Sequence, residues 1–124
     1  MKNSISIIAI LSVLSVLSVS CDKIYYNQLY IINNCDEIVN VSITDTWGKV
    51  DSFTVEANIT LMFNEGSGIM SPKGIIEKGF EKFDVFKNGV KSKVDYKDFN
   101  KWNCVDKDKY HSDVYLTINP EDFE

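Results

Sequence analysis

Apolar and polar positions divide this chain into one greasy opening stretch and a succession of short runs behind it. Residues 29–32, Leu-Tyr-Ile-Ile, form a continuous apolar run of strand length, closed by Asn33 and Asn34. Over residues 38–44 the chain alternates. Val39, Val41 and Ile43 fall on one face and Asn40, Ser42 and Thr44 on the other, the period of a half-buried strand. Asp45, Thr46, Trp47 and Gly48 interrupt with turn chemistry. Phe53 and Val55 flank Thr54 in a third strand, and Ala57-Asn58 turns into a fourth over residues 59–63. Near the end, Val114, Leu116 and Ile118 alternate with Tyr115 and Thr117 until Asn119-Pro120 stops the run.

Asn88-Gly89 lies between two β-like runs and predicts a two-residue type I′ hairpin. That turn sets Lys87 opposite Val90. Counting outward, Phe83 meets Val94, Asp84 meets Lys93 and Lys82 meets Asp95. Phe83, Val85, Val90 and Val94 would then share one face. Each such cross-strand pair stabilises by about 0.2–1 kcal/mol, and a one-residue slip would lose all of them.

Residues 64–79 show no clear period. They hold Gly66, Gly68, Gly74 and Gly79 with Pro72 between, and Ile75-Ile76 could form a short strand or bridge. Loops of this length within a compact domain tend to be functional. Residues 98–102 read as a helical turn or crossover. With about seven short strands and no long helical period, the chain is expected to be all-β, a single small antiparallel sandwich of the immunoglobulin-like kind. A small OB-like barrel is the competing closure.

The opening stretch adds an address. Lys2 precedes an apolar run over residues 5–19 broken only by serines, and Ser18-Val19-Ser20 leads into Cys21. This is the layout of a secretory signal, too short to span about 30 Å of hydrocarbon comfortably. A cysteine directly after the small residues resembles a bacterial lipobox, with Ser18 where leucine usually stands. The expected organisation is therefore a lipoprotein signal at 1–20, a lipidated Cys21 with a tether through residue 28, and a β-domain over 29–124. The expected location is the cell envelope, as an outer-membrane lipoprotein that could face outward.

Charge narrows the partners. The chain has formal net charge −5 and every basic residue is lysine. An acidic domain without arginine forks is a poor reader of nucleic acid. Cys35 and Cys104 remain beside Cys21, and in an exported protein they are expected to pair, with two free thiols as the alternative. The chain-entropy model gives a closed loop of about 70 residues roughly 4 kcal/mol of stabilisation.

Catalytic chemistry is thin. His111 is the only histidine, and in a strand it points away from its neighbour Ser112, so adjacency makes no triad. Asp106-Lys107-Asp108 begins like a calcium loop, but Tyr110 and His111 stand where an oxygen ligand and a glycine belong. Gly66-Ser67-Gly68 lacks the lysine of a phosphate loop. No catalytic residue, metal or cofactor is expected. Binding is the alternative. Trp47, beside Gly48, is either an exposed interface anchor or a lid over the sandwich end. Glu65, Ser67, Ile69 and Met70 lie in the glycine-rich segment, which could protrude into a partner's groove, although Met70 could equally plug the domain. Trp102 is expected in the core or against a cystine.

Taken together, the serine-rich leader into Cys21, the following Asp22, the hairpin at Phe83-Asp84-Val85 and Asn88-Gly89, and the closing Tyr115-Leu116-Thr117-Ile118 with Glu121-Asp122-Phe123 resemble the small surface lipoproteins of Bacteroidetes. Within that group the potempins are the nearest functional likeness: lipid-anchored β-proteins that inhibit secreted peptidases. The resemblance implies a non-enzymatic protein-binding module, tethered to the bilayer through Cys21. An immunity or adhesion module that binds a toxin, host protein or glycan is the second expectation. A structural subunit gripping an envelope complex by a sheet edge is the third.

Overall fold

The computed structural model describes residues 24–124. The expected signal at 1–20 and the expected lipidation position, Cys21, lie outside the described residues.

Eight strands form two four-stranded sheets packed as a sandwich. They are β1 (Tyr25–Asn33), β2 (Val39–Asp45), β3 (Val50–Val55), β4 (Thr60–Gly68), β5 (Phe80–Lys87), β6 (Val90–Lys91), β7 (Trp102–Asp106) and β8 (His111–Ile118). One sheet has the order β4-β1-β8-β7 and the other β3-β2-β5-β6. The sheets do not close into a barrel. One pairing departs from the antiparallel expectation: β1 and β8 run parallel, Tyr26 beside His111 through Asn33 beside Ile118.

Alternation explains the layers. Along β1, Asn27, Leu29, Ile31 and Asn33 are buried while Tyr26 is exposed and Gln28 and Tyr30 are half-buried. Val39, Val41 and Ile43 of β2 and Val114, Leu116 and Ile118 of β8 complete the inner faces. A bulge in the β1–β4 register, Leu29 opposite Asn64 and Tyr30 opposite Met62, leaves Phe63 as an extra residue. Phe63 joins an aromatic cluster with Phe53, Phe83 and Trp102, at centroid distances of 5.6, 5.9 and 6.3 Å. Trp102 is a core residue, and its indole Nε1 donates to the Tyr96 carbonyl at 2.7 Å.

Other expectations are also corrected. Tyr25–Gln28, expected in the tether, are the opening half of β1, held by β4 on one side and β8 on the other. Ile75-Ile76 is helical, not extended. Ser71 caps a short helix α1 (Pro72–Gly74), accepting from the Gly74 N–H at 3.2 Å, and a π turn over Ile75–Gly79 follows and buries Ile76.

The Asn88-Gly89 turn forms as expected, with φ of 53° and 78° and Lys87 opposite Val90. The long hairpin does not. The strand ladder ends at Lys91; the Ser92 N–H still donates to the Val85 carbonyl at 2.8 Å, but the Ser92 hydroxyl bonds Tyr96 at 2.7 Å and the Lys93 N–H donates to the Asp122 carbonyl at 2.9 Å. The C-terminal 3₁₀ turn (Pro120–Phe123) thus pulls the chain out of the sheet, and Asp84 pairs with Lys91 at 3.2 Å rather than with Lys93.

Cys35 and Cys104 are free thiols, not a cystine. Cys35 lies against the Ile118 carbonyl at 3.8 Å, whereas Cys104 is opposite Val114. Four residues of strand separate Val114 from Ile118, about 13 Å at strand rise. A disulfide requires Cα atoms within about 7 Å.

Candidate functional site

Chain direction sorts the connections between the two ends of the sandwich. β1 runs from Tyr25 toward Asn33 and β2 returns, so the turn at 45–49 lies at the end where Tyr25 enters. β4 also finishes there, with Gly68 beside Tyr25, followed by the crossover at 69–79. The turn at 107–110 lies there too, since His111 is beside Tyr26. The opposite end carries residues 34–38, 56–59, the Asn88-Gly89 turn and the C-terminus.

The entry end therefore gathers the residues singled out in the sequence. In the 45–49 turn, Asp45 Oδ1 accepts from the N–H groups of Trp47 and Lys49 at 2.8 and 2.9 Å, and Gly48 takes φ +84°. The turn satisfies its own backbone and leaves the Trp47 side chain 92 % exposed. Trp47 is thus no lid. Ile69 is 78 % exposed, while Met70 is half packed, with its carbonyl accepting from Asn27 Nδ2 at 3.4 Å. Asp45, Ile69, Met70 and Ile75 frame one shallow depression of about 340 Å³. Glu65 and Ser67 are not loop residues. They belong to β4, beside Gln28 and Tyr26 of β1.

Those two residues border a second feature, which the sequence reading missed. On the outer face of the β1 sheet, Tyr26, Gln28, Glu65, Lys107, His111 and Asp113 line a polar depression of about 450 Å³. Gln28 donates to Glu65 at 3.3 Å, and Lys107 pairs with the nearly buried Asp113 at 3.1 Å. That pair raises the Lys107 ammonium above its ordinary range. Tyr26 stacks on His111 and Tyr30 on Tyr115, each at 4.7 Å. The signal was present in the sequence as the period-two run Tyr26, Gln28, Tyr30.

His111 serves the turn. Its Nδ1 lies 2.6 Å from Asp108 Oδ2, and Asp108 Oδ1 accepts from the Tyr110 and His111 N–H groups. The Tyr110 N–H is the main cause holding the Asp108 carboxyl below the usual range, with His111 adding to it. Ser112 is buried and donates to Asp106 at 2.7 Å, away from the exposed imidazole. Asp106 and Asp108 are thus both engaged within the chain. Among the described residues no group of three or more His, Cys, Asp or Glu side chains is arranged to hold a metal ion.

A third feature is an edge. β4 is nine residues long, borders its sheet, and carries one charge, Glu65, with neither lysine nor proline. Edges are normally blunted by such residues, or by brevity like that of β6. Beside β4, Phe53, Leu61 and Phe63 line a groove of about 450 Å³ whose rim also carries Asp45, Asp51 and Asn64.

No family model, curated protein or solved structure matches this chain.

Proposed function

We propose that this protein is a non-catalytic, lipid-anchored binding module of the cell envelope, acylated at Cys21, and most concretely an inhibitor of a secreted peptidase. The observation that carries the reading is β4. A peptidase cleft binds its substrate as an extended chain through main-chain hydrogen bonds, and a nine-residue edge strand without lysine or proline, bulged once at Phe63, offers a chain already extended. Being part of a packed sheet, that strand loses little conformational freedom on binding. Met62, 43 % exposed, and the groove at Phe53 and Phe63 supply apolar contact beside the edge.

The test is inhibition of candidate metallo- and serine peptidases by a soluble form spanning residues 22–124. Met62→Lys, a charge on the edge strand, is expected to weaken inhibition about tenfold, equivalent to about 1.4 kcal/mol. An unchanged inhibition constant would remove β4 as the contact. Absence of inhibition across both peptidase classes would remove the inhibitor reading.

A second reading, adhesion to a glycan, is favoured by the outer-face depression, where Tyr26 and Tyr30 flank the amide of Gln28 and the carboxylates of Glu65 and Asp113. Glycan-array binding that is abolished by Tyr26→Ala would select it over the β4 edge.

A further inference from the structure

We propose that the entry end of the sandwich is seated on the bilayer, with Trp47 and Ile69 entering its interfacial layer; this rests on the acylation of Cys21 proposed above. Covalent geometry supplies the first argument. Cys21 precedes Tyr25 by four residues, and a fully extended chain of that length reaches at most about 14 Å. An acyl group there keeps the entry end within reach of the headgroups.

The second argument is what that end displays. Trp47 and Ile69 are the two most exposed large apolar side chains among the described residues, and both are there. Ile24, Tyr26 and Met70 join them at 44, 47 and 42 % exposure. The opposite end shows only Ile38, Ile59 and Val90, each about half exposed and none aromatic. Tryptophan and tyrosine, amphipathic rings with a polar tip, concentrate at membrane–water boundaries. Tyr25 and Tyr110 meet edge-to-face at the same end, with Lys109 over the Tyr110 ring at 5.5 Å.

The third argument is that the indole of Trp47 has no internal employment. Its turn is closed by the Asp45 carboxylate and by backbone hydrogen bonds at Asp45 and Gly48, with no part played by the ring. Lys49 and Lys109 have Asp45 and Asp108 close by in the chain, so these two turns carry no surplus of positive charge, and the expected contact is apolar in character. Seated this way, the sandwich stands upright and presents the β4 edge sideways.

The experiment uses the native full chain in vesicles of phosphatidylethanolamine and phosphatidylglycerol with brominated acyl chains. The part of the tryptophan emission lost in Trp47→Phe reports Trp47, while Trp102, 7 % exposed, is the internal reference. Brominated chains are expected to quench the Trp47 emission, the vesicles to shield it from acrylamide, and Ile69→Ser to reduce both effects with no change in melting. In a protein whose mass carries the acyl groups, Trp47 emission untouched by brominated chains and still quenched by acrylamide would overturn the proposal. A mature mass without acyl groups would instead overturn the anchoring on which it rests. Inhibition by the soluble form should be indifferent to Ile69→Ser, which separates this surface from β4.

Discussion

The side-chain amide of Asn33 reaches from one sheet to the other and donates to the Val55 carbonyl at 3.0 Å, with neither atom open to solvent. The same nitrogen lies 2.8 and 3.1 Å from the carbonyls of Glu37 and Glu56, and Oδ1 accepts from the Cys35 N–H at 3.0 Å. One side chain thus ties together two connections at the far end of the sandwich, β1 to β2 and β3 to β4. Leaving one buried polar group unpaired costs about 1–3 kcal/mol. Asn33→Ala is therefore expected to destabilise the fold by about 3 kcal/mol or more, seen as a lower urea midpoint at unchanged slope. A shift too small to measure would mean that water replaces the amide.

Trp47→Ala should leave stability within about 0.5 kcal/mol, as expected of a surface residue without structural partners. A large fall in melting temperature would show that the indole packs on the domain.

Because the two thiols are far apart, reducing agent should not alter melting. Burial pushes both the Cys35 and Cys104 thiols up from their ordinary range. Less thiolate forms at neutral pH, so both should react slowly with a thiol reagent in the native state. Cys35, wholly enclosed, should react only on unfolding. A mass two hydrogens lower after air oxidation, without unfolding, would contradict the separation.

Acid should loosen the 107–110 turn. The Asp108 carboxyl is held below its ordinary value of 3.8, so in acid the unfolded chain binds more protons than the folded one. Its contribution is complete above the unfolded value and is lost as pH falls through the folded one. Lys107 has the opposite sign. Its raised value makes the contribution complete below the ordinary lysine range and lost as pH rises through the folded value. Melting followed between roughly pH 2 and pH 5 should be less pH-dependent in Asp108→Asn, which keeps the oxygen acceptor. An identical slope in both proteins would dismiss Asp108 as the titrating group.

Ser71→Ala should cost about 1 kcal/mol through loss of the cap on α1. Since Ile76 is fully buried just beyond it, fluorescence of the nearby aromatic core should report the change. No change in stability would mean that Pro72 and the packing of Ile76 alone hold the turn.

Alternation located β2 to within one residue at each end and the second half of β8; it missed His111, Ser112 and Asp113, where burial does not alternate. Asn88-Gly89 likewise carried its turn, since only local backbone angles were needed. What local pattern does not contain is distant pairing. Gly66-Ser67-Gly68 is poor strand sequence and is extended because Tyr25–Asn27, far away in the chain, pair with it. The β5–β6 hairpin stops short for a similar reason, a competing claim by Asp122 on Ser92, Lys93 and Tyr96. The exposure of Trp47 followed from Gly48 and Asp45. The outer-face depression needed the parallel β1–β8 pairing, which no spacing along the chain encodes.

That parallel pairing also bears on the order of assembly. The first strand lies between β4 and the last strand, so its sheet cannot be completed until the C-terminal residues are free to dock. Long-range contacts of this kind slow folding. A polypeptide threaded across a membrane with its leading end first would stay open until its tail came through, keeping it fit for passage and delaying collapse until arrival.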